Sequence, residues 1–252
     1  MNRDLRLFPS GVRILFIAVM GLLALLPGSA AAALGERYVD PEWGYTIRGP
    51  EGWEARPHAM EGISLVYLGS AYEGFYANLS VVALPEPIEV TPKFVEQMVR
   101  NLEAQMEIAA GDASQSGLRG DPDEARPRGF RVARRTIAPV GGVDAAYLEA
   151  SFHQNVNGGT RELRQLQVVI PGVQSHFILT YTAGTEVFED ALPDIQAAVN
   201  SFTPAVGPVT STGGSPWFAR RAGLLFALLA LIACTTLVLL AIQRRRRGSR
   251  IP

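Results

Sequence analysis

From Ala222 to Ile242 the chain runs for 21 residues without a charged side chain. Coiled as a helix, that length covers about 30 Å, the hydrocarbon thickness of a bilayer. Arg244 to Arg247 follow at once, with Arg250 behind them, whereas only Arg220 and Arg221 precede the run. Cytoplasmic flanks of membrane helices carry the excess of arginine and lysine, so the asymmetry predicts a transmembrane helix over 222–242 and a basic cytoplasmic tail over 243–252. A buried core helix is the competing reading, but so short a tail offers nothing to cover it.

A second apolar stretch opens the chain. Arg3, Arg6 and Arg13 make the first residues positive, Ile14 to Leu26 is apolar, and Pro27 leads into the small residues Gly28 to Ala33. This is the layout of a secretory signal peptide over 1–33, with cleavage expected near Ala31 to Ala33. An uncleaved anchor is the alternative, disfavoured by the proline and the small-residue cluster. Export of the N-terminal side agrees with the orientation given by the arginines. The chain therefore reads as a single-pass protein of the cell membrane, its folded part periplasmic or extracellular and its C-terminus cytoplasmic.

Between these ends, 34–203 is long enough to bury a core without disulfides or metal. Residues 204–221 begin with Pro, Gly, Ser and Thr and show no apolar period, as a flexible linker does; fourteen such residues reach about 20 Å. Gly213-Gly214-Ser215, then an apolar span and terminal arginines, resembles bacterial sorting signals of the GlyGly-CTERM kind. That resemblance implies an alternative fate, cleavage within the membrane and display at the surface.

Charge narrows the partners. The segment 34–203 holds 13 basic and 23 acidic residues, a net −10, and the other ten basic residues lie at the two ends. An acidic domain repels phosphate backbones and anionic headgroups, so no nucleic-acid partner is expected, and the bilayer is met through the C-terminal helix. Lys93 is the only lysine among 23 basic residues, a codon bias that points to a bacterial source. Cys234, the single cysteine, lies in the apolar run, which leaves the folded part without a disulfide or a thiol metal site.

Strand and helix periods alternate through the folded segment. Tyr45 and Ile47 alternate with polar neighbours before the turn residues Gly49 to Gly52, and Trp43 and Trp53 bracket this stretch as core aromatics. Ile63 to Leu68 and Ala77 to Leu84 predict strands, the latter ended by Pro85 and Pro87. Thr91-Pro92 starts a helix whose apolar stripe is Phe94, Val95, Met98, Val99, Leu102 and Met106. Gly111 to Gly129 is polar and reads as a surface loop. Its carboxylates Asp121, Asp123 and Glu124 lack the spacing of a calcium loop. Four strands, "FRVARRTI", "DAAYLEASFHQ", "LRQLQVVI" and "SHFILTYTA", then form an antiparallel meander. Val187 to Phe202 closes the segment as a helix that Pro193 kinks or restarts.

"DPEWGYTIRGPEGW" and "FILTYTAGTEVFEDALPDIQAAVNSF" together resemble the PsbP/DcrB-like superfamily, in which a Gly-Tyr/Phe-x-Ile strand runs into Pro-x-Gly-Trp and the last helix ends in Ser-Phe. The resemblance covers Tyr38 to about Phe202. It implies an α+β fold, an α/β/α sandwich around an antiparallel sheet. Members include photosystem extrinsic subunits, periplasmic lipoproteins and a Ran-binding branch, so the family leaves function open. This chain has no cysteine at its cleavage site and carries a C-terminal helix instead, unlike the lipoprotein members.

No constellation for chemistry emerges. His58, His153 and His176 are the only histidines and lack metal-ligand spacing, although His153 and His176 could meet across the sheet. Ser64 lies in "GISLV", which lacks the second glycine of a hydrolase elbow. Glu149, Ser151 and His153 share a strand face, the one cluster that a catalytic reading could use. Asn78-Leu79-Ser80 matches a glycosylation signal inside an apolar strand. No catalytic, cofactor or metal site is assigned, and no cofactor is expected. The reading is a membrane-anchored extracytoplasmic binding or scaffolding module for a protein or small ligand, with a sorted surface protein and an enzyme of unrecognised site as alternatives.

Overall fold

The computed structural model describes residues 32–111, 127–156 and 159–205. The signal peptide, the linker, the apolar run at 222–242, the tail and the acidic trio Asp121, Asp123 and Glu124 lie outside these residues. Among the described residues no helix is long and apolar enough to cross a membrane.

The domain is mostly β. Among the described residues nine strands follow in order: β1 (Leu34–Val39), β2 (Thr46–Pro50), β3 (Glu54–Met60), β4 (Ile63–Tyr72), β5 (Phe75–Leu84), β6 (Arg128–Val140), β7 (Val143–Val156), β8 (Gly159–Pro171) and β9 (His176–Gly184). Helix α1 (Pro92–Gly111) separates β5 from β6, and helix α2 (Thr185–Asn200) follows β9. β1 and β2 form a two-stranded ribbon, and the rest form a seven-stranded sheet in the order β3-β4-β5-β9-β8-β7-β6, with every neighbouring pair antiparallel. The predicted meander is β6 to β9, and β9 joins it to the β3–β5 hairpins by pairing with β5. Glu73-Gly74 and Gly141-Gly142 both take positive φ at the two hairpin tips, the backbone that a right-twisted two-residue turn demands. At Gly141 glycine is also required sterically, because a Cβ there would sit 2.8 Å from the Phe202 carbonyl oxygen.

Each face of the sheet carries a core. One holds Tyr45 and Ile47 of the ribbon side, Leu65, Leu79, Val168, Leu179 and Tyr181 of the sheet, and Phe188, Ile195 and Val199 of α2. Phe202, just past α2, is fully buried among Tyr45 and Phe177, with ring centroids 5.2 and 5.1 Å away. Each such side chain contributes about 1.5–3 kcal/mol by leaving water. The other face carries α1, whose Val95, Met98, Val99, Leu102 and Met106 pack with Ile63, Val82, Leu148, Val169 and Ile178. The Thr91 hydroxyl accepts the Phe94 N–H at 3.2 Å, so the predicted cap is real.

The sandwich differs from the expectation in proportion. Among the described residues two helices serve seven strands, and the ribbon shares a face with α2. β1 and β3 were not foreseen. α2 begins at Thr185, earlier than Val187, and runs uninterrupted through Pro193. Trp43 and Trp53 are half-buried rather than central, with Trp53 lying against Gly69 and Tyr181.

Candidate functional site

Along β7, Tyr147, Glu149, Ser151 and His153 do share a face, because successive strand residues point to opposite sides. Their register partners on β8 are Val168, Leu166, Arg164 and Glu162, and on β6 Thr136, Arg134, Arg131 and Arg128. The shared face does not make a catalytic set. Ser151 is buried opposite Arg164, and His153 stands exposed between Arg128 and Glu162. Glu149 bonds neither of them and pairs with Arg164.

Arg164 is the organising group. Its guanidinium bonds Glu149 on β7 and Glu189 on α2, and its Cζ lies 4.3 Å above the centre of the Phe188 ring. Burial alone would lower its pKa, but the two carboxylates win and hold it above the ordinary arginine value. A planar, forked cation suits this double pairing and ring stacking, which fastens the start of α2 to the sheet. The price is that Glu149 is neutralised and offers no free base.

Beyond this clamp, α2 and the β6–β7 end of the sheet diverge. They leave a cleft of about 290 Å³ whose polar walls are Arg134, Thr136, Tyr147, Glu149, Gln196 and Asn200, over an apolar base of Leu166 and Val199. Burial raises the Tyr147 pKa, so its hydroxyl stays protonated and can both donate and accept. Arg134 makes no ion pair among the described residues and is the cleft's available cation. A second cavity, also about 290 Å³, lies across β6 on the α1 side, bounded by Pro92, Val95, Glu96, Arg135, Thr136 and Ile137.

A polar group that the strand pattern did not reveal lies under the ribbon. Asp40 is 1% exposed yet fully bonded: Oδ1 accepts the N–H groups of Glu42 (3.0 Å) and Trp43 (2.7 Å), and Oδ2 accepts the hydroxyls of Ser64 (2.5 Å) and Tyr38 (3.3 Å). Tyr45 Oη and Ser64 Oγ are 2.7 Å apart. The Tyr38 hydroxyl is pushed up to about 12 by burial first and by the Asp40 charge second; burial also raises Tyr45. Ser64 therefore sits in a sealed network that pins the ribbon to β4, without a histidine and without access for a substrate. The Asp-Pro at 40–41 with Gly44 is a turn signal that could have flagged Asp40.

The histidines occupy three separate places. His58 is exposed on β3 at φ 47. His176 is buried at the start of β9, its Nδ1 2.6 Å from the Glu86 carbonyl oxygen. It lies opposite Pro171 while His153 lies opposite Glu162, so the two stand at opposite ends of the sheet and do not meet. Among the described residues no group of three His, Cys, Asp or Glu could hold a metal ion. Asn78 is buried in β5, out of reach of a glycosylating enzyme.

No protein-family model matches the chain. No curated protein matches it either. Among solved structures it is similar to the cyanobacterial PsbP (CyanoP) of Synechocystis sp. PCC 6803, at 17% identity over 73% of this chain and 100% of that one, with a TM-score of 0.46. It is similar to PA94 of Pseudomonas aeruginosa, a putative regulator of unknown function, at 16% identity over 69% of this chain and 98% of that one, TM-score 0.41. It is also similar to LpqN of Mycobacterium tuberculosis, involved in cell envelope biogenesis, at 16% identity over 67% of this chain and 88% of that one, TM-score 0.39. At such identities and scores the likeness carries no inference about activity or partners.

Proposed function

We propose that this chain is an exported binding module, tethered to the membrane by its C-terminal apolar run, that holds a partner in the cleft between α2 and the β6–β7 end of the sheet. The observation that carries the reading is the chemistry of that cleft. Arg134, Thr136, Tyr147, Gln196 and Asn200 converge on one concavity as hydrogen-bonding groups. Glu149, its only carboxylate among the described residues, is paired with Arg164. Such a surface recognises; it lacks the paired acid and base, or the nucleophile and base, that turnover requires.

A photoreactive amino acid at Gln196, exposed on the cleft wall, tests the reading in intact cells. A discrete cross-linked adduct at Gln196, absent when the probe replaces Arg56 on the far edge of the sheet, is the expected result. Equal labelling at both places, or none at Gln196, contradicts it. The sorted-protein reading rests on Gly213-Gly214-Ser215. Intact mass of the mature protein decides it, since sorting removes the segment that tethering keeps.

A further inference from the structure

The two edges of the seven-stranded sheet are built differently. At β3, Pro57 lies inside the strand, His58 takes φ 47, and the register with β4 slips between Pro57 and Met60. Its Arg56 is neutralised by Glu54 at 2.9 Å. Those are the devices by which a sheet refuses a further strand. β6 carries such devices on either side of residues 134–138: register breaks fall between Arg128 and Arg131 and between Val132 and Arg134, and Pro139 stands near the hairpin. Between them, residues 134–138 pair regularly with β7 from Glu149 to Ala145, and among the described residues no strand pairs with their outer side.

Charge and shape single out the same segment. In an acidic domain, β6 holds Arg131, Arg134 and Arg135, none of which makes an ion pair among the described residues. Arg134 and Arg135 are successive strand residues, so they project to opposite faces. Each stands at one of the two cavities, and Thr136 borders both. The acidic groups nearby are engaged elsewhere: Glu149 by Arg164, and Glu96 by Arg100 at 3.9 Å.

We propose that residues 134–138 of β6 accept an extended, acidic segment of a partner protein as an eighth strand. This rests on the binding-module reading and names the partner's chemistry. The added strand would satisfy the outward N–H and C=O groups of β6. Its side chains, alternating between faces, would enter the cleft beside α2 and the cavity beside α1 in turn, each past a free arginine. A second copy of the chain is the poorer occupant, because β6 against β6 would bring Arg131, Arg134 and Arg135 of both copies to one seam with no carboxylate of β6 between them.

The test uses the full chain in detergent micelles and a fluorescein-labelled octapeptide that repeats Glu-Glu-Val-Val, so that both faces of the strand carry carboxylates, followed by anisotropy. Saturable binding is expected. It should weaken about tenfold or more when alternate peptide nitrogens are methylated, because a strand without N–H groups cannot join a ladder. It should weaken as much in the variant Arg131→Glu/Arg134→Glu/Arg135→Glu, remain unchanged in Arg56→Glu, be absent for a lysine–valine peptide, and fall as salt rises from about 50 to about 500 mM. The methylated-peptide arm uses the unaltered protein, so it stands even if the triple variant folds poorly. Equal binding of the methylated peptide overturns strand addition, as does failure of the acidic peptide to bind. A dimer of the full chain that the triple substitution dissolves would assign the edge to a second copy and overturn the proposal too. If the peptide fails while Gln196 still captures a partner in cells, only the strand addition falls; if both fail, the binding reading falls with it.

Discussion

The two faces of the sheet are covered in different ways. Under the ribbon and α2 the cover is aromatic and interlocked. Tyr45, Phe177 and Phe202 pack as a trio, Tyr181 stacks on Phe188 with ring centroids 4.9 Å apart, and buried Asp40 has four donors. Under α1 the helix brings aliphatic and methionine side chains to a sheet face whose central strands carry buried Asn78, Ser80, Gln165, Gln167, Thr180 and Thr182. Among the described residues Gln165 Nε2 is buried with no hydrogen-bond partner, as is Tyr67 Oη in the core of the other face. A satisfied polar network adds stability and fixes geometry, whereas an orphaned amide costs its desolvation. The contrast teaches that the α2 face is held by interlocked rings and a fully bonded carboxylate, and the α1 face by aliphatic packing around a stripe of buried polar side chains.

The contrast is sharpest at the aromatic trio. Phe202→Ala removes a fully buried ring and should cost about 3–5 kcal/mol in urea denaturation, more than the roughly 2 kcal/mol for Met98→Ala under α1. Equal losses would erase the difference between the faces. Asp40→Leu should cost about 3 kcal/mol or more, because two hydroxyls and two N–H groups lose their acceptor together. Gly69→Ala sets a Cβ 2.6 Å from the Trp53 ring and should cost about 1–3 kcal/mol by overpacking. On the other face Gln165→Leu should move stability the opposite way, by up to about 1 kcal/mol, since it deletes an unsatisfied donor. A clear loss there would mean that the amide has a partner.

The smallest effect belongs to His176, on the α1 face. Burial lowers its pKa, outweighing the Glu86 carbonyl that favours the protonated ring. The unfolded chain therefore binds a proton that the folded chain resists. The associated stability is complete above the ordinary histidine value of about 6.5 and is lost as pH falls through the lowered folded value. His176→Asn should flatten the decline of the denaturation midpoint between about pH 7 and 5 relative to the parent, with carboxylate titration common to both.

Local signals reached the elements whose periodicity is strong. The β6–β9 meander, the Thr91 cap and the α1 stripe were legible because alternation, capping and i, i+4 spacing are properties of neighbours. β3 was not: an edge strand exposed along most of its length, with Pro57 inside, has no apolar alternation to read. β1, with only partial burial, shares that difficulty. Pro193 suggested a break in the last helix, yet α2 continues through it under the packing of Phe188 and Ile195 on either side. The cleft was the least legible part. Glu149 could be placed on its face, but Arg164 meets it across strands and Glu189 joins from α2, and such long-range pairings leave no local mark. Arg131, Arg134 and Arg135 of β6 were visible as letters, but that they make no ion pair among the described residues depends on where the carboxylates settle.

The position of the domain relative to the membrane decides whether this cleft can meet a partner outside the cell. Protease added to intact spheroplasts, with one antibody against the folded domain and another against a tag after Pro252, measures it. Export with a retained anchor predicts loss of the domain signal while the tag survives on a short membrane-bound fragment. A protected domain with a trimmed tag would contradict it.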